Sequence, residues 1–107
     1  MLTKDAKTVL YELYKEYIVR RHNHISKSNA KDFISSDSIQ ENFFPDCSID
    51  DIVDALRELG QNGFLYNVYS GDTIYHCELT DYAISVMENQ KKETFLTAVD
   101  FISKFIP

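Results

Sequence analysis

The chain has 107 residues, of which 44% are hydrophobic and 26% are charged, so we expect one folded domain over residues 1–107. No stretch approaches the ~20 apolar residues that a membrane-spanning helix needs, and the first residues lack the apolar run of a signal peptide. The two cysteines, Cys47 and Cys77, form no C-x-x-C pair. These observations predict a cytoplasmic protein with reduced thiols and no membrane partner.

The net charge of −6 is distributed unevenly along the chain. Residues 1–31 contain seven of the eleven Lys and Arg residues but only three of the seventeen Asp and Glu residues. Residues 32–107 contain the other four basic residues and fourteen acidic ones, and this surplus of negative charge repels phosphate. We therefore expect any nucleic-acid surface to lie near the N-terminal helix.

The first predicted helix begins after Thr3, because apolar residues recur from there at helical spacing. Arg20 and Arg21 fall in its last turn, where cations complement the helix dipole. Asn23 suits the left-handed position that ends a helix. Their interaction with the helix dipole is enough to explain these two arginines, so their position does not by itself establish a phosphate-binding site.

Residues 23–31 are polar and indicate a loop, and the apolar pair Phe33-Ile34 after it can form a short first strand. A second helix is predicted to begin at Ser38, which has a glutamate three residues later as in a capping box. Ser36 is the alternative cap for this helix. The following proline ends it.

The third predicted helix begins after Ser48, whose hydroxyl can cap it. Gly63 suits the left-handed position that ends this helix, and Phe64 then folds back onto Leu59 in a Schellman motif. The predicted buried stripe of the helix contains Ile49, Ile52, Val53, Leu56 and Leu59.

Two runs rich in aromatic and β-branched residues follow, 64–69 and 73–79, and the turn residues 70–72 between them predict a β-hairpin. Thr80 is the predicted cap of a further helix. Residues 92–106 form a final amphipathic helix with a broad apolar face, which can pack against helix 1 of the same chain or against a second copy.

This order predicts an α+β fold, a winged helix-turn-helix with a β-hairpin wing and an extra C-terminal amphipathic helix. The chain resembles small winged-helix proteins of the YjcQ-like bacterial and phage group. The resemblance lies in the S-x-x-D-x-x-x-A-L-x-x-L-x-x-x-G-F run from Ser48 to Phe64, the wing, the Leu79-Thr80 junction and the extra helix. It implies a DNA-binding transcriptional regulator, although residues 64–79 contain no Lys or Arg, unlike the cationic wing typical of such regulators.

Two surfaces are candidate binding sites. The first would contact DNA through Arg20, Arg21, Lys27, Lys31 and Arg57. Arg57 can contact guanine from the helix that should enter the major groove, but pairing with Asp54 one turn away is the more frequent arrangement.

The second surface is acidic and belongs to an alternative function. Asp50, Asp54 and Glu58 lie on the solvent side of the same helix, where carboxylates oppose phosphate and most base edges. They favour a basic protein partner, so the alternative is a winged-helix interaction module or a DNA mimic that does not bind DNA.

No pattern in the sequence indicates catalysis, a cofactor or a metal. The candidate soft ligands lack the paired spacing of a zinc site; they are His22, His24, His76, Cys47 and Cys77. No phosphate-binding glycine loop or nucleophile motif is present in the sequence. The wing tyrosines, Tyr66, Tyr69 and Tyr75, can stack on bases, but cross-strand packing is the commoner role.

Overall fold

Five helices and one β-hairpin account for the regular structure of residues 1–90, the part of the chain that the computed structural model describes. In chain order the elements are α1 (Lys4–His22), α2 (Lys27–Ala30), α3 (Ser36–Phe43), α4 (Ile49–Gln61), β1 (Leu65–Ser70), β2 (Thr73–Leu79) and α5 (Asp81–Glu88). The α+β prediction is confirmed, and the order is compatible with a winged-helix-like arrangement. The predicted helix over 92–106 lies outside the described residues.

A serine or threonine side chain caps the N-terminus of each of these five helices. Thr3, Ser48 and Thr80 cap α1, α4 and α5 as predicted, each accepting a hydrogen bond from the backbone N–H three residues later. The prediction for α3 was wrong, because Ser35 is its cap and neither Ser36 nor Ser38 is. Local signals cannot distinguish between three neighbouring serines, and the hydroxyl of the buried Ser36 is hydrogen-bonded to Ile74 and not to the start of the helix.

The connection after α1 differs from the predicted loop. Asn23 has a φ of −88°, so it is not left-handed, and His24 with a φ of 66° makes the reversal instead. Residues 27–30 then form the short helix α2, capped by Ser26. Ala30 is fully buried, which gives this polar segment one apolar anchor and explains why it is ordered as a helix.

The sheet has two antiparallel strands, paired from Leu65 opposite Leu79 to Ser70 opposite Thr73. Gly71, with a φ of 62°, provides the reversal in the predicted turn. The predicted first strand at residues 33–34 was wrong: only an isolated bridge forms on the other side of β2, with two backbone hydrogen bonds of 2.9 Å. Ile34 has a φ of 71°, which turns the chain away from β2.

The core lies between α1, α3, α4 and the inner face of the hairpin. Its largest fully buried side chains are Phe44, Leu13, Ile39, Leu56, Leu59, Ile74, Leu79 and Cys77. The predicted Schellman motif ends α4: Gly63 has a φ of 84°, and the Phe64 N–H donates to the Leu59 carbonyl at 2.9 Å. Ile49, which was predicted to be buried, is 37% exposed at the first turn.

The longest described helix, α1, has 19 residues and carries charges along its length. Within residues 1–90, no helix is both long enough and apolar enough to cross a membrane.

Candidate functional site

The outward face of α4 is acidic at its N-terminal half. Asp50 and Asp54 are exposed and one turn apart, directly opposite the buried stripe. No ion pair joins either carboxylate to a cation within residues 1–90. Arg57, the next residue along this face, does not pair with Asp54; its guanidinium lies 5.5 Å from the centre of the Tyr69 ring. The predicted Arg57–Asp54 pair was therefore wrong.

Glu58, the third acidic residue predicted to bind a partner, has a structural contact. Its two carboxylate oxygens accept hydrogen bonds from the Thr3 backbone N–H and the Thr3 hydroxyl, each at 2.6 Å. These hydrogen bonds hold the pKa of Glu58 below its ordinary value. The carboxylate thus joins the start of α1 to α4 and is less available to a partner than Asp50 and Asp54 are.

Arg20, predicted to contact DNA, is also used inside the fold. Its guanidinium donates to the carbonyls of Ala30 at 3.2 Å and Asp32 at 2.8 Å. The same group lies 4.5 Å from the centre of the Phe33 ring. Arg20 therefore holds the segment after α2 against α1, a role that no local sequence pattern could indicate.

The remaining predicted DNA contacts gather at the same end of α1. The ammonium groups of Lys27 and Lys31 lie 3.2 and 3.4 Å from one carboxylate oxygen of Asp81, at the start of α5. Hydrogen bonds from these two lysines, together with their positive charges, hold the pKa of Asp81 below its ordinary value. Arg21 is exposed and donates to the Ile25 carbonyl at 3.2 Å. We call Arg20, Arg21, Lys27 and Lys31 the basic cluster.

The basic cluster and the acidic face of α4 lie at different ends of the molecule. Glu58 meets Thr3 at the start of α1, whereas Arg20 lies 17 residues further along that helix, roughly 25 Å along its axis. The basic cluster is thus not brought beside Asp50 and Asp54, whereas Arg57 shares their helix. The five predicted DNA contacts do not form one surface, because Arg57 is on α4 and the other four are at the far end of α1.

A groove of about 340 Å³ opens where the first turns of α1 and α4 meet the connection between α3 and α4. Its apolar lining consists of Val9, Phe44, Ile52 and Ala55, each less than 5% exposed. These residues belong to the core, so the groove reaches the edge of the packed interior. A ligand seated here would meet an apolar surface that is already fixed in place.

Three carboxylates surround this apolar lining: Asp5 in the first turn of α1, Asp46 in the connection and Asp51 in the first turn of α4. None of them forms an ion pair with a cation in residues 1–90. The exposed thiol of Cys47 lies among them, and partial burial and these three negative charges raise its pKa. We call this feature the acidic groove.

Sequence reasoning missed the acidic groove. It interpreted Asp51 only as a charge that favours a helix N-terminus, and it placed Cys47 only among the residues without metal-site spacing. The local signal was the sequence Asp46-Cys47-Ser48 before a capped helix. Asp5 could not be added without knowing that α1 packs on α4, a contact between residues more than 40 positions apart.

The remaining candidate groups from the sequence are the soft metal ligands and the hairpin tyrosines. No cluster of three or more His, Cys, Asp or Glu residues in the described chain has a geometry suited to a metal ion. The hairpin tyrosines do not form one platform: Tyr66 packs edge-on against His76 at 6.1 Å, and Tyr69 packs against Arg57. Cross-strand packing, the favoured interpretation of Tyr66, is thus observed.

No family model, no curated protein and no solved structure matches this chain. Function is therefore inferred from the surface of the chain itself.

Proposed function

We propose that this chain is a winged-helix protein-interaction module that binds a basic protein partner through the N-terminal half of α4. In this proposal α4 takes the position of the recognition helix and the β1–β2 hairpin that of the wing. The observation that carries it is the pair Asp50 and Asp54, exposed on the outward face of α4 and without an ion pair to any cation in residues 1–90.

The net charge of residues 32–90, the segment that contains α4, supports the proposal. Residues 32–90 contain twelve acidic residues and a single cation, Arg57, which lies on Tyr69. A groove-entering helix with this surface would place carboxylates against phosphates, whereas a Lys- or Arg-rich partner would be attracted and oriented. The proposal needs no catalytic group, cofactor or metal.

The test uses fluorescence anisotropy with a labelled oligolysine peptide and a labelled duplex of random sequence. We expect the peptide to bind at low salt, the duplex to bind far more weakly, and peptide binding to weaken at physiological salt. Asp50→Lys with Asp54→Lys should weaken peptide binding by about tenfold or more, since each reversal replaces attraction by repulsion.

The matched control is Glu41→Lys with Asp72→Lys, which makes the same change in net charge at exposed positions on α3 and in the hairpin turn. The proposal requires the control to bind the peptide more tightly than the α4 variant does. Equal weakening by both variants would mean that only net charge matters, and would contradict a site on α4.

DNA binding is the second candidate, because the structure brings Lys27 and Lys31 to a single exposed carboxylate oxygen of Asp81. A DNA phosphate could occupy the same position, as surface ion pairs of this kind are weak. The resemblance to the YjcQ-like group favours this candidate, and a dimer through residues 92–106 would bring two basic clusters together. Both the family and the dimer remain predictions.

The duplex measurement also tests this second candidate. Arg21→Ala with Lys27→Ala should remove DNA binding and reduce its salt dependence if the basic cluster contacts phosphate. Arg20 is left unchanged, because its hydrogen bonds to Ala30 and Asp32 make any substitution a test of folding as well. Three results together would favour DNA over a basic protein as the partner. The duplex would bind in a salt-dependent way, the two substitutions would remove that binding, and the peptide would not bind.

A further inference from the structure

We infer that the acidic groove between α1 and α4 binds a segment of a partner protein in which a Lys or Arg residue lies next to an apolar side chain. This inference rests on the proposed function and adds to it the place and the chemistry of recognition. The outward face of α4 can bind a basic surface of any shape. The acidic groove instead fits a ligand that has a cation and an apolar group a few ångströms apart.

Charge complementarity identifies the cationic part of the ligand. Asp5, Asp46 and Asp51 come from three different segments and line one opening, and none of them forms an ion pair with a cation among the described residues. Together these negative charges favour a flexible ammonium or guanidinium group at the rim.

The apolar lining identifies the neighbouring part. Val9, Phe44, Ile52 and Ala55 are core residues whose edges face the groove, so the surface is preformed and a side chain entering it loses contact with water at little cost in reorganisation. A purely charged ligand would make no contact with this apolar lining. A volume of about 340 Å³ has room for one aliphatic side chain together with the stem of a lysine.

Two labelled peptides test the inference, one in which lysines flank a single leucine and one with serine in place of that leucine. We expect the leucine peptide to bind about tenfold more tightly, the effect of burying one large aliphatic side chain. Asp46→Asn with Asp51→Asn should weaken both peptides, because the lost charges attract their lysines.

Cys47 allows the groove to be blocked without mutation. Its thiol is exposed at the opening, whereas Cys77 is fully buried, so N-ethylmaleimide should modify the folded protein at Cys47 alone. The modified protein should keep its thermal melting temperature and lose its preference for the leucine peptide. Cys47→Ser is the matched control for the reagent: its peptide binding should be the same before and after treatment with N-ethylmaleimide, so that a loss seen in the parent protein comes from the adduct at Cys47.

The outcomes separate the inference from the proposed function. Equal affinity for the two peptides, unchanged by N-ethylmaleimide but abolished by Asp50→Lys with Asp54→Lys, would overturn the groove and leave the α4 surface supported. A Cys47 thiol that does not react in the folded protein would show that another segment covers the opening, and would overturn the groove as well. Failure of both peptides to bind would contradict both proposals.

Discussion

Ser36 is a buried hydroxyl that satisfies two backbone groups of β2. Its oxygen accepts a hydrogen bond from the Ile74 N–H at 3.3 Å, and its proton is donated to the Ile74 carbonyl at 3.2 Å. The hydroxyl thereby makes the two hydrogen bonds to Ile74 that the backbone of a third strand would otherwise make at this edge of the hairpin. Since Ser36 and Ile74 are both fully buried, water cannot replace these hydrogen bonds.

We predict that Ser36→Ala lowers the free energy of unfolding by about 1–3 kcal/mol, the cost of leaving buried polar groups without partners. Urea denaturation followed by circular dichroism measures this loss. Ser38→Ala in the same helix is the control; its hydroxyl contacts only the exposed Asn42 side chain among the described residues, so its effect should be smaller. Equal losses in the two variants would contradict the role of Ser36.

The contrast between Ser36 and the helix caps shows what the sequence can indicate at the residue scale. Thr3, Ser48 and Thr80 cap helices through contacts three residues away, so a short window contains the whole signal. Ser36 and Ile74 are 38 residues apart, and nothing near either one indicates the pairing. The cap of α3 is Ser35, one residue before Ser36 and outside the two positions, Ser36 and Ser38, that local signals had indicated.

At the scale of elements, the contact between Thr3 and Glu58 joins α1 to α4. The Thr3 hydroxyl donates to Glu58 and accepts from the Ala6 N–H, so the helix cap is itself held by the neighbouring helix. The pKa of Glu58 is lower in the folded chain than in the unfolded one. This carboxylate therefore stabilises the fold at pH values above its unfolded pKa, and the contribution is lost as pH falls through the lower pKa of the folded chain.

We predict that Glu58→Gln lowers stability at pH 7 and that the difference from the parent protein shrinks at pH 3. The midpoint of urea unfolding at each pH measures both effects. Glu41→Gln, at an exposed glutamate on α3, is the control and should lie close to the parent at both pH values. A Glu58→Gln deficit that is the same at both pH values would show that the charge of Glu58 does not matter.

Local patterns predicted most of the elements but not the contacts between them. Helical periodicity and caps located α1, α4 and α5, and Gly63 and Gly71 marked the end of α4 and the hairpin turn. The short helix α2 was missed because its four residues are polar except for Ala30, whose burial depends on packing. The acidic groove was missed for the same reason, since α1 and α4 must pack before it exists.

At the scale of the whole molecule, the basic cluster lies at the C-terminal end of α1 and the acidic residues of α4 lie near its N-terminal end, which also contains Lys4 and Lys7. The sequence predicted the division between residues 1–31 and the rest of the chain. It could not predict that Lys27 and Lys31 would meet Asp81, which makes part of the positive charge internal to the fold.

The two cysteines report on the cooperativity of this whole structure. Cys77 is fully buried at the centre of β2, and burial raises the pKa of its thiol to about 12, so almost no reactive thiolate forms in the native state. Cys47 is exposed, and its pKa is raised less. Any reagent that attacks Cys77 must therefore wait for the core around β2 to open.

We predict that a thiol-specific chromogenic disulfide reacts rapidly with Cys47 at pH 8. Cys77 should react more slowly, by a factor on the order of a thousand or more, because only about one molecule in a thousand or fewer is open at any time in a protein stable by ~5 kcal/mol. In denaturing urea both should react at similar rates, because neither is then buried. Glu58→Gln, which alters the contact between α1 and α4 and not β2, should speed the slow phase by the factor by which it raises the unfolding equilibrium constant if opening is global. A slow phase that is unchanged by this substitution would show that β2 opens locally, without unfolding of α1 and α4.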